Sequence, residues 1–273
     1  MGTFVVLQKV DTPVFCIGTK GPSLFEGISQ QIEAVMKKTL FNAFLFIPFM
    51  IFGCFDGTFS GKSDKIFIQE EINTKLDHKS LAILNKYGNT IRTYSEQYGV
   101  DWRLVVAVIK VESRFDHSAE SYKGAKGFMQ IMPATQTMLA EKMGLDSTAL
   151  DDPHGNIRGG VFYLSRLYKQ FGNDGLSEEN RIKLTLAAYN AGPGRINDAQ
   201  KMAEYVNDDP KEWKSVKNSL SLLSKKYSSL HRFVWTERRP TNGYFKGWKE
   251  TSNYVESVMT YYDEYRKVFE KKV

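Results

Sequence analysis

The apolar residues of the chain recur at helical spacing from about residue 76 to the C-terminal end. No run in this part alternates strictly between apolar and polar residues, the pattern that indicates a half-buried strand. We therefore expect an all-α fold. Spacing and capping residues predict helices over residues 78–98, 102–113, 133–143, 156–171, 178–190, 195–205 and 250–269, and less regular structure over residues 206–248.

The second of these helices, residues 102–113, is the most apolar. Its sequence, Trp-Arg-Leu-Val-Val-Ala-Val-Ile-Lys-Val-Glu-Ser, carries apolar side chains on nearly all sides. A helix of this kind belongs in a protein core, and Asp101 in front of it is a suitable N-cap. Glu112 is conspicuous because it places a carboxyl group near the C-terminal end of this helix.

Helix position alone leaves two roles open for Glu112. On the exposed side of the last turn it would form an ordinary ion pair with Lys110 or Arg114. On the buried side, desolvation and the negative end of the helix dipole would both raise the pKa of its carboxyl group. A glutamic acid that stays protonated near neutral pH can protonate a departing glycosidic oxygen.

The N-terminal part of the chain carries the pattern of a bacterial export signal. Lys37 and Lys38 precede a short apolar run, residues 40–52. This run is shorter than the roughly 20 residues of a membrane-spanning helix, which favours a signal peptide. It ends in Ile-Phe-Gly-Cys at Cys54, which resembles the lipobox of lipoproteins although Phe52 replaces the usual small residue.

This pattern divides the chain into four expected segments. Residues 1–35 are interpreted as a non-native extension ahead of a true start at Met36, and residues 36–53 as a lipoprotein signal peptide. Residues 54–76, rich in Gly, Ser and charge, are expected to form a flexible tether that is lipidated at Cys54. Residues 77–273 remain as the catalytic domain. A buried hydrophobic helix with a chance cysteine is the alternative interpretation of the leader.

Composition narrows the chemistry of the helical part. The formal charge of +6 favours an anionic partner such as a cell wall or a membrane surface, with an ordinary solvated surface as the alternative. No arginine-rich or aromatic-basic cluster indicates nucleic acid as a partner. Both cysteines, Cys16 and Cys54, precede the helical part, which excludes a cysteine nucleophile or cysteine-ligated zinc there. The four scattered histidines form no metal motif, and we expect neither a metal nor a cofactor.

Two further groups of residues have the chemistry of a sugar-binding site. Gly124 and Gly127 predict a tight loop that leads into Met129-Gln130. Tyr189-Asn190 stands at the end of a predicted helix, just before Gly192-Pro193-Gly194. Amides and hydroxyls suit sugar hydroxyls, and an aromatic face suits a pyranose ring. Each motif by itself is also explained by an ordinary turn or a core tyrosine.

Together these motifs resemble the catalytic domain of the soluble-type lytic transglycosylases, relatives of goose-type lysozyme, from about residue 87 to residue 269. Within that family the sequence is most similar to the catalytic module of membrane-bound lytic murein transglycosylase F, without that enzyme's N-terminal solute-binding-like domain. The family motifs appear in order as Glu112-Ser113, Gly124 to Pro133 with Phe128 in place of Leu, Asn156 to Gly160, Ala188 to Gly192, and Glu250 to Val255.

The resemblance implies a lysozyme-like helical globule with a substrate groove. It also implies cleavage of the β-1,4 bond between N-acetylmuramic acid and N-acetylglucosamine, with formation of 1,6-anhydromuramic ends. Glu112 is expected as the single catalytic acid and base. Tyr254 and Ser113 are implied as its supporting groups. The implied substrate contacts are Met129, Gln130, Tyr189 and Asn190.

Most glycosidases use a second carboxylate, and we expect none in the matched motifs. The acids in polar stretches, which we expect on the surface or as helix caps, are Asp116, Glu120, Asp151 and Asp152. The expected partners are glycan strands and, through Cys54, a membrane. We expect a monomer anchored on the periplasmic side of the cell envelope, at the outer membrane. A lysozyme-type hydrolase and a catalytically silent wall-binding lipoprotein remain as alternatives.

Overall fold

The computed structural model describes residues 76–172 and 175–270, which all fall within one unit of the chain, Ser60–Val273. The described residues form nine α-helices and two short 3-10 turns, and apart from isolated bridges around Lys126 they contain no strand. The all-α expectation is confirmed. The helices are α1 (His78–Tyr98), α2 (Trp102–Ser113), α3 (Pro133–Met143), α4 (Pro153–Gln170), α5 (Glu178–Ala191), α6 (Pro193–Tyr205), α7 (Trp213–Leu222), α8 (Ser228–Val234) and α9 (Trp248–Glu270).

The first three helices begin and end at the predicted residues because local capping decides those boundaries. The Asp77 carboxylate accepts hydrogen bonds from two backbone N–H groups at the start of α1, and Gly99 ends that helix with φ +70°. Asp101 caps α2 in the same way. Pro133 is the first residue of α3, and Gly144 ends it with φ +63°. These are the residues that preferentially start and stop helices.

Two expectations differ from the structure by more than two residues. α4 begins three residues before Asn156, because Asp152 accepts hydrogen bonds from the backbone N–H groups of His154 and Gly155 and makes Pro153 the first helical residue. Residues 206–248 are also more regular than expected, since they contain α7 and α8. In α7 the buried residues Trp213, Val216 and Leu220 form a narrow apolar stripe. The helix was not predicted because the neighbouring residues in the sequence are mostly polar.

The central helix is α2. Its residues 104–109 are all at most 3% exposed, which confirms that a helix apolar on nearly all sides lies in the core. α9 packs along α2 and α5, α1 packs along α4, and α6 packs along α7. The C-terminal end of α2, which carries Glu112, lies near Tyr189 of α5 and Tyr254 of α9.

Within the described residues, none of the helices combines the length and the apolar character needed to cross a lipid bilayer. The expected signal peptide, the tether and the lipidated Cys54 lie outside the described residues. These three expectations stay predictions.

Candidate active site

Glu112 lies in the last turn of α2, just before an unusual backbone segment. Arg114 and Phe115 both have left-handed backbone conformations, with φ of +54° and +67°, so the chain turns sharply away from α2. The ion pair considered from the sequence is not formed, because the Lys110 Nζ atom lies 2.8 Å from the Asp77 carboxylate. Within residues 76–172 and 175–270 no ion pair of Glu112 is found.

The Glu112 carboxyl group is partly accessible to solvent, but its surroundings change its chemistry. Burial raises its pKa from 4.5 to about 7, the hydroxyl of Tyr254 opposes the rise, and the negative charge of Glu250 adds to it. About half of such carboxyl groups are protonated at pH 7. The group can therefore both give and take a proton near neutral pH.

Two tyrosines flank this carboxyl group. Burial and the charge of Glu112 raise the pKa of both Tyr189 and Tyr254 well above 10, so both phenols stay protonated. The Tyr189 hydroxyl donates a hydrogen bond to the Met129 carbonyl at 2.8 Å. The Tyr254 hydroxyl lies beside Glu112 but is buried without a hydrogen bond of regular geometry among the described residues. It is therefore the phenol that remains available to orient the carboxyl group.

The loop before α3 is held against α4 by the side chain of Asn156. Its amide oxygen accepts from the Met129 backbone N–H at 2.9 Å, and its amide nitrogen donates to the Lys126 carbonyl at 3.0 Å. Gly127, with φ +76°, passes so close that an added Cβ would lie 2.6 Å from Asn156. The glycine is required by this close approach as well as by its conformation.

Asn190 is exposed at the end of α5, and a residue of α9 orients it. The Thr251 hydroxyl donates to the Asn190 Oδ1 atom at 2.8 Å. This leaves the Asn190 amide nitrogen as a donor for a ligand. The site is thus assembled from the ends of α2 and α5, the loop before α3, and the first turns of α9.

Residues 89–212 match the family model described as the transglycosylase SLT domain. Residues 89–212 form a transglycosylase SLT domain. This range includes Glu112, Tyr189 and Asn190, whereas Glu250 and Tyr254 lie beyond its C-terminal limit. The candidate site therefore extends beyond the SLT domain into α9.

The chain is also similar to individual SLT relatives. It is 36% identical over 189 residues to a membrane-bound lytic murein transglycosylase F of Desulfosudis oleivorans, covering 69% of this chain and 38% of that protein. A protein of the same name from Shewanella pealeana is 33% identical over 213 residues, covering 76% of this chain and 40% of the relative. The chain thus spans about two fifths of the length of these relatives.

Among solved structures, the 70 kDa soluble lytic transglycosylase of Escherichia coli is similar to this chain. It shows 26% identity and a TM-score of 0.48 over 73% of this chain and 27% of its own. The lytic transglycosylase Slt of Pseudomonas aeruginosa shows 27% identity and a TM-score of 0.43 over 68% of this chain and 24% of its own.

Three of the predicted site residues in the SLT domain have polar groups that are already engaged by the protein. The Ser113 hydroxyl is buried and donates to the Ile109 carbonyl at 3.1 Å. Met129 is fully buried and contributes its backbone carbonyl to Tyr189. The Gln130 amide nitrogen donates to two loop carbonyls, each at 3.1 Å. These residues shape the helix end and the loop, and their contact with substrate stays a prediction.

Sequence reasoning missed the role of Glu250. No second carboxylate was expected in the motifs, but Glu250 is close enough to Glu112 to raise its pKa. The signal was present, because Glu250 and Tyr254 are four residues apart and so lie on the same face of a helix. The other acids behave as expected: Asp152 caps α4, and Asp116 is exposed and accepts from Ser118. Among the described residues, no group of three or more potential ligands could hold a metal ion.

Proposed function

We propose that the protein is a lytic transglycosylase of peptidoglycan. The observation that supports this most directly is a carboxyl group of pKa about 7, Glu112, beside Tyr254 and Tyr189 at the end of a buried helix. The proposal is also supported by the SLT domain and by the names of the relatives, which are lytic murein transglycosylases. The substrate is the β-1,4 bond between N-acetylmuramic acid and N-acetylglucosamine.

In the first step, protonated Glu112 gives its proton to the glycosidic oxygen, and the bond from this oxygen to C1 of the muramic residue breaks. The carbonyl oxygen of the muramic N-acetyl group bonds to C1 at the same time and forms an oxazolinium-like intermediate. Tyr254 holds the Glu112 carboxyl group in position. A preorganised acid of matched pKa accelerates such a step by about 10²–10⁴-fold.

In the second step, the ionised Glu112 takes the proton of the O6 hydroxyl of the same sugar. O6 bonds to C1, the bond from C1 to the acetyl oxygen breaks, and a 1,6-anhydromuramic end leaves. Glu112 returns to its protonated form, so the reaction consumes no water. A pKa near 7 suits this cycle because the same group acts first as the acid and then as the base.

A lysozyme-type hydrolase is the second candidate, and Glu250 is the observation that favours it. Hydrolytic glycosidases pair the acid with another carboxylate about 5–9.5 Å away, and Glu250 influences Glu112 directly. The two reactions differ in their products. Hydrolysis gives a reducing end that is heavier by one water than the anhydro end.

The test is digestion of purified sacculi followed by mass spectrometry of the released sugars. The proposal expects anhydro products from the wild type and a loss of about 10³-fold in rate for Glu112→Gln. Glu141→Gln makes the same chemical change at an exposed position of α3 and should keep wild-type activity. Reducing ends from the wild type would favour the hydrolase, and an active Glu112→Gln variant would refute the assignment of Glu112.

We also propose a location in the cell envelope. The relatives are named membrane-bound lytic murein transglycosylases, and their substrate lies outside the cytoplasmic membrane. Lipidation at Cys54, with residues 54–76 as a tether, would keep the protein on the periplasmic side at the outer membrane, where a monomer reaches the wall. This finer placement depends on the leader pattern of the sequence.

A further inference from the structure

The positive charge of the chain is concentrated in one segment. Residues 213–249 contain nine lysines and arginines but a single acid, Glu237, which gives a net charge of +8. The SLT domain, residues 89–212, contains 15 basic and 17 acidic residues and has a net charge of −2. The remaining residues of the chain add no net charge. The whole excess of +6 therefore comes from a segment beyond the SLT domain, which the sequence analysis did not recognise as a cluster.

This charge faces solvent. All the basic side chains of residues 213–249 are exposed except that of Lys217, which is bound to Glu256 of α9. The exposed ones form no ion pair with any residue that the structure describes. So many unneutralised like charges within 37 residues repel one another and attract anions.

Aromatic rings lie beside several of these cations. Phe233 is 60% exposed, and the Arg232 guanidinium lies 4.7 Å from its ring centre. The Lys249 ammonium lies 5.3 Å from the Trp248 ring centre. Cations combined with accessible aromatic faces suit a ligand that has both negative groups and apolar or sugar surfaces.

The cationic segment packs against α6 and runs directly into the first turn of α9, which carries Glu250. The backbone N–H of Asn242 donates to Asp198 of α6 at 2.8 Å, and the Phe245 ring lies 5.2 Å from the Arg195 guanidinium of the same helix. The segment then continues into Glu250, whose charge acts on Glu112. The C-terminal end of the segment therefore adjoins the reaction site through Glu250.

We propose that residues 213–249 form an accessory cationic surface that binds the acidic peptide substituents of a glycan strand whose scissile bond lies at Glu112. The inference rests on the proposed function. The SLT domain alone has a net charge of −2 and would repel an anionic polymer. The net charge of +8 on the cationic segment makes the interaction attractive. Its continuity with the site favours the strand over a lipid surface as the occupant. Complementary charge of this kind acts on capture and orientation rather than on the chemical step.

The test measures binding to purified sacculi in a Glu112→Gln background, in which the wall is not digested. The variant K225Q/K226Q/R238Q/R239Q removes four exposed charges far from the carboxyl group in sequence. We expect it to bind about tenfold more weakly at 0.15 M salt. The difference should disappear at 1 M salt, where the screening length falls to about 3 Å. Equal thermal midpoints would show that both proteins are folded.

The matched control, K86Q/K142Q/R166Q/K169Q, removes the same number of exposed charges elsewhere and should bind like its parent. Sacculi with chemically amidated carboxyl groups should bind parent and variant alike. If both quadruple variants bound sacculi equally weakly, the loss of binding would come from net charge alone and not from its position. That result would overturn the proposal. Weaker binding to phosphatidylglycerol vesicles with unchanged binding to sacculi would also overturn it, in favour of a lipid partner.

The two proposals fail in different ways. Binding in the Glu112→Gln background does not depend on turnover, so an inactive wild type would refute the proposed function. Unchanged binding of K225Q/K226Q/R238Q/R239Q would overturn the cationic surface and leave the assignment of Glu112 intact.

Discussion

Glu112 shows how the pKa of one residue is changed by groups that are remote in the sequence. Burial among core residues is the largest cause of its raised pKa, but Tyr254 and Glu250 act on it from α9, about 140 residues further along the chain. The sequence motifs were sufficient to nominate Glu112, Tyr189 and Tyr254. They could not reveal the influence of Glu250, because closeness between distant residues is produced by packing and not by local pattern.

The first prediction concerns this second carboxylate. Glu250→Gln removes a negative charge beside Glu112, which makes ionisation of Glu112 easier and lowers its pKa. The basic limb of the profile of kcat/KM against pH should move to lower pH by about half a unit. The change is measured with a defined glycan substrate between pH 5 and 9. Glu264→Gln, at an exposed position of the same helix, is the control and should leave the limb unchanged; a shared shift would contradict the prediction.

A second prediction follows from the same pKa and concerns stability. A carboxyl group whose folded pKa of about 7 exceeds its ordinary 4.5 destabilises the folded protein progressively as pH rises from 4.5 to 7. Glutamine carries no such charge. After allowance for the solvent that reaches Glu112, the Glu112→Gln variant should be more stable than wild type by roughly 2 kcal/mol at pH 8. The gain should vanish near pH 4.

Denaturant unfolding of both proteins at the two pH values measures this difference. A gain of the same size at pH 4 and pH 8 would show that ionisation of Glu112 is not its cause. A loss of stability at pH 8 would contradict the prediction outright.

Among the helices, the accuracy of the sequence analysis followed the strength of local signals. α1 and α3 carry an aspartate or a proline at the start and a glycine just after the end, and α2 begins after the capping Asp101. The limits of all three helices were predicted without error. α7 was missed because its apolar stripe consists of few residues within a polar sequence. Its stability comes from packing on α6 and α9, which a local pattern does not contain.

The third prediction compares two glycines of positive φ. Gly99 ends α1 with nothing within 4 Å of an added Cβ, whereas Gly127 is in close contact with Asn156. Gly99→Ala should cost about 1 kcal/mol, the penalty of a left-handed alanine. Gly127→Ala should cost about 3 kcal/mol or more, because Asn156 must also give up its hydrogen bonds to the loop.

Urea unfolding gives both values, and activity separates them further. Gly127→Ala should also raise KM, since the loop that it disturbs carries Met129 against Tyr189. Gly99→Ala should leave KM unchanged. Equal costs for the two substitutions would refute the role assigned to Asn156.

At the scale of the whole molecule, one chain carries three parts in succession: the proposed anchor, the SLT domain and the cationic segment. The domain carries the proposed acid, residues 213–249 carry the net positive charge, and the proposed tether would set the distance from the membrane. The resemblance to known families could reveal the SLT domain. It could not reveal the cationic segment, since this segment lies beyond the matched residues 89–212.

The fourth prediction concerns the anchor. Cys54→Ser should move the protein from the membrane fraction to the soluble periplasmic fraction without changing its activity on purified sacculi. Mass spectrometry of the wild type should find a lipidated Cys54 at the mature N-terminus. An unmodified N-terminus at Met1 would contradict the lipoprotein interpretation and leave the catalytic proposal untouched.

The position of α9 has a consequence for synthesis. Because α9 brings both Tyr254 and Glu250 to Glu112, a nascent chain that has left the ribosome only as far as α8 lacks two of the groups that adjust the acid. The proposed acid should therefore reach its final pKa and position only when the last helix docks. A truncated copy of the proposed wall enzyme would then cleave glycan strands more slowly than the complete chain.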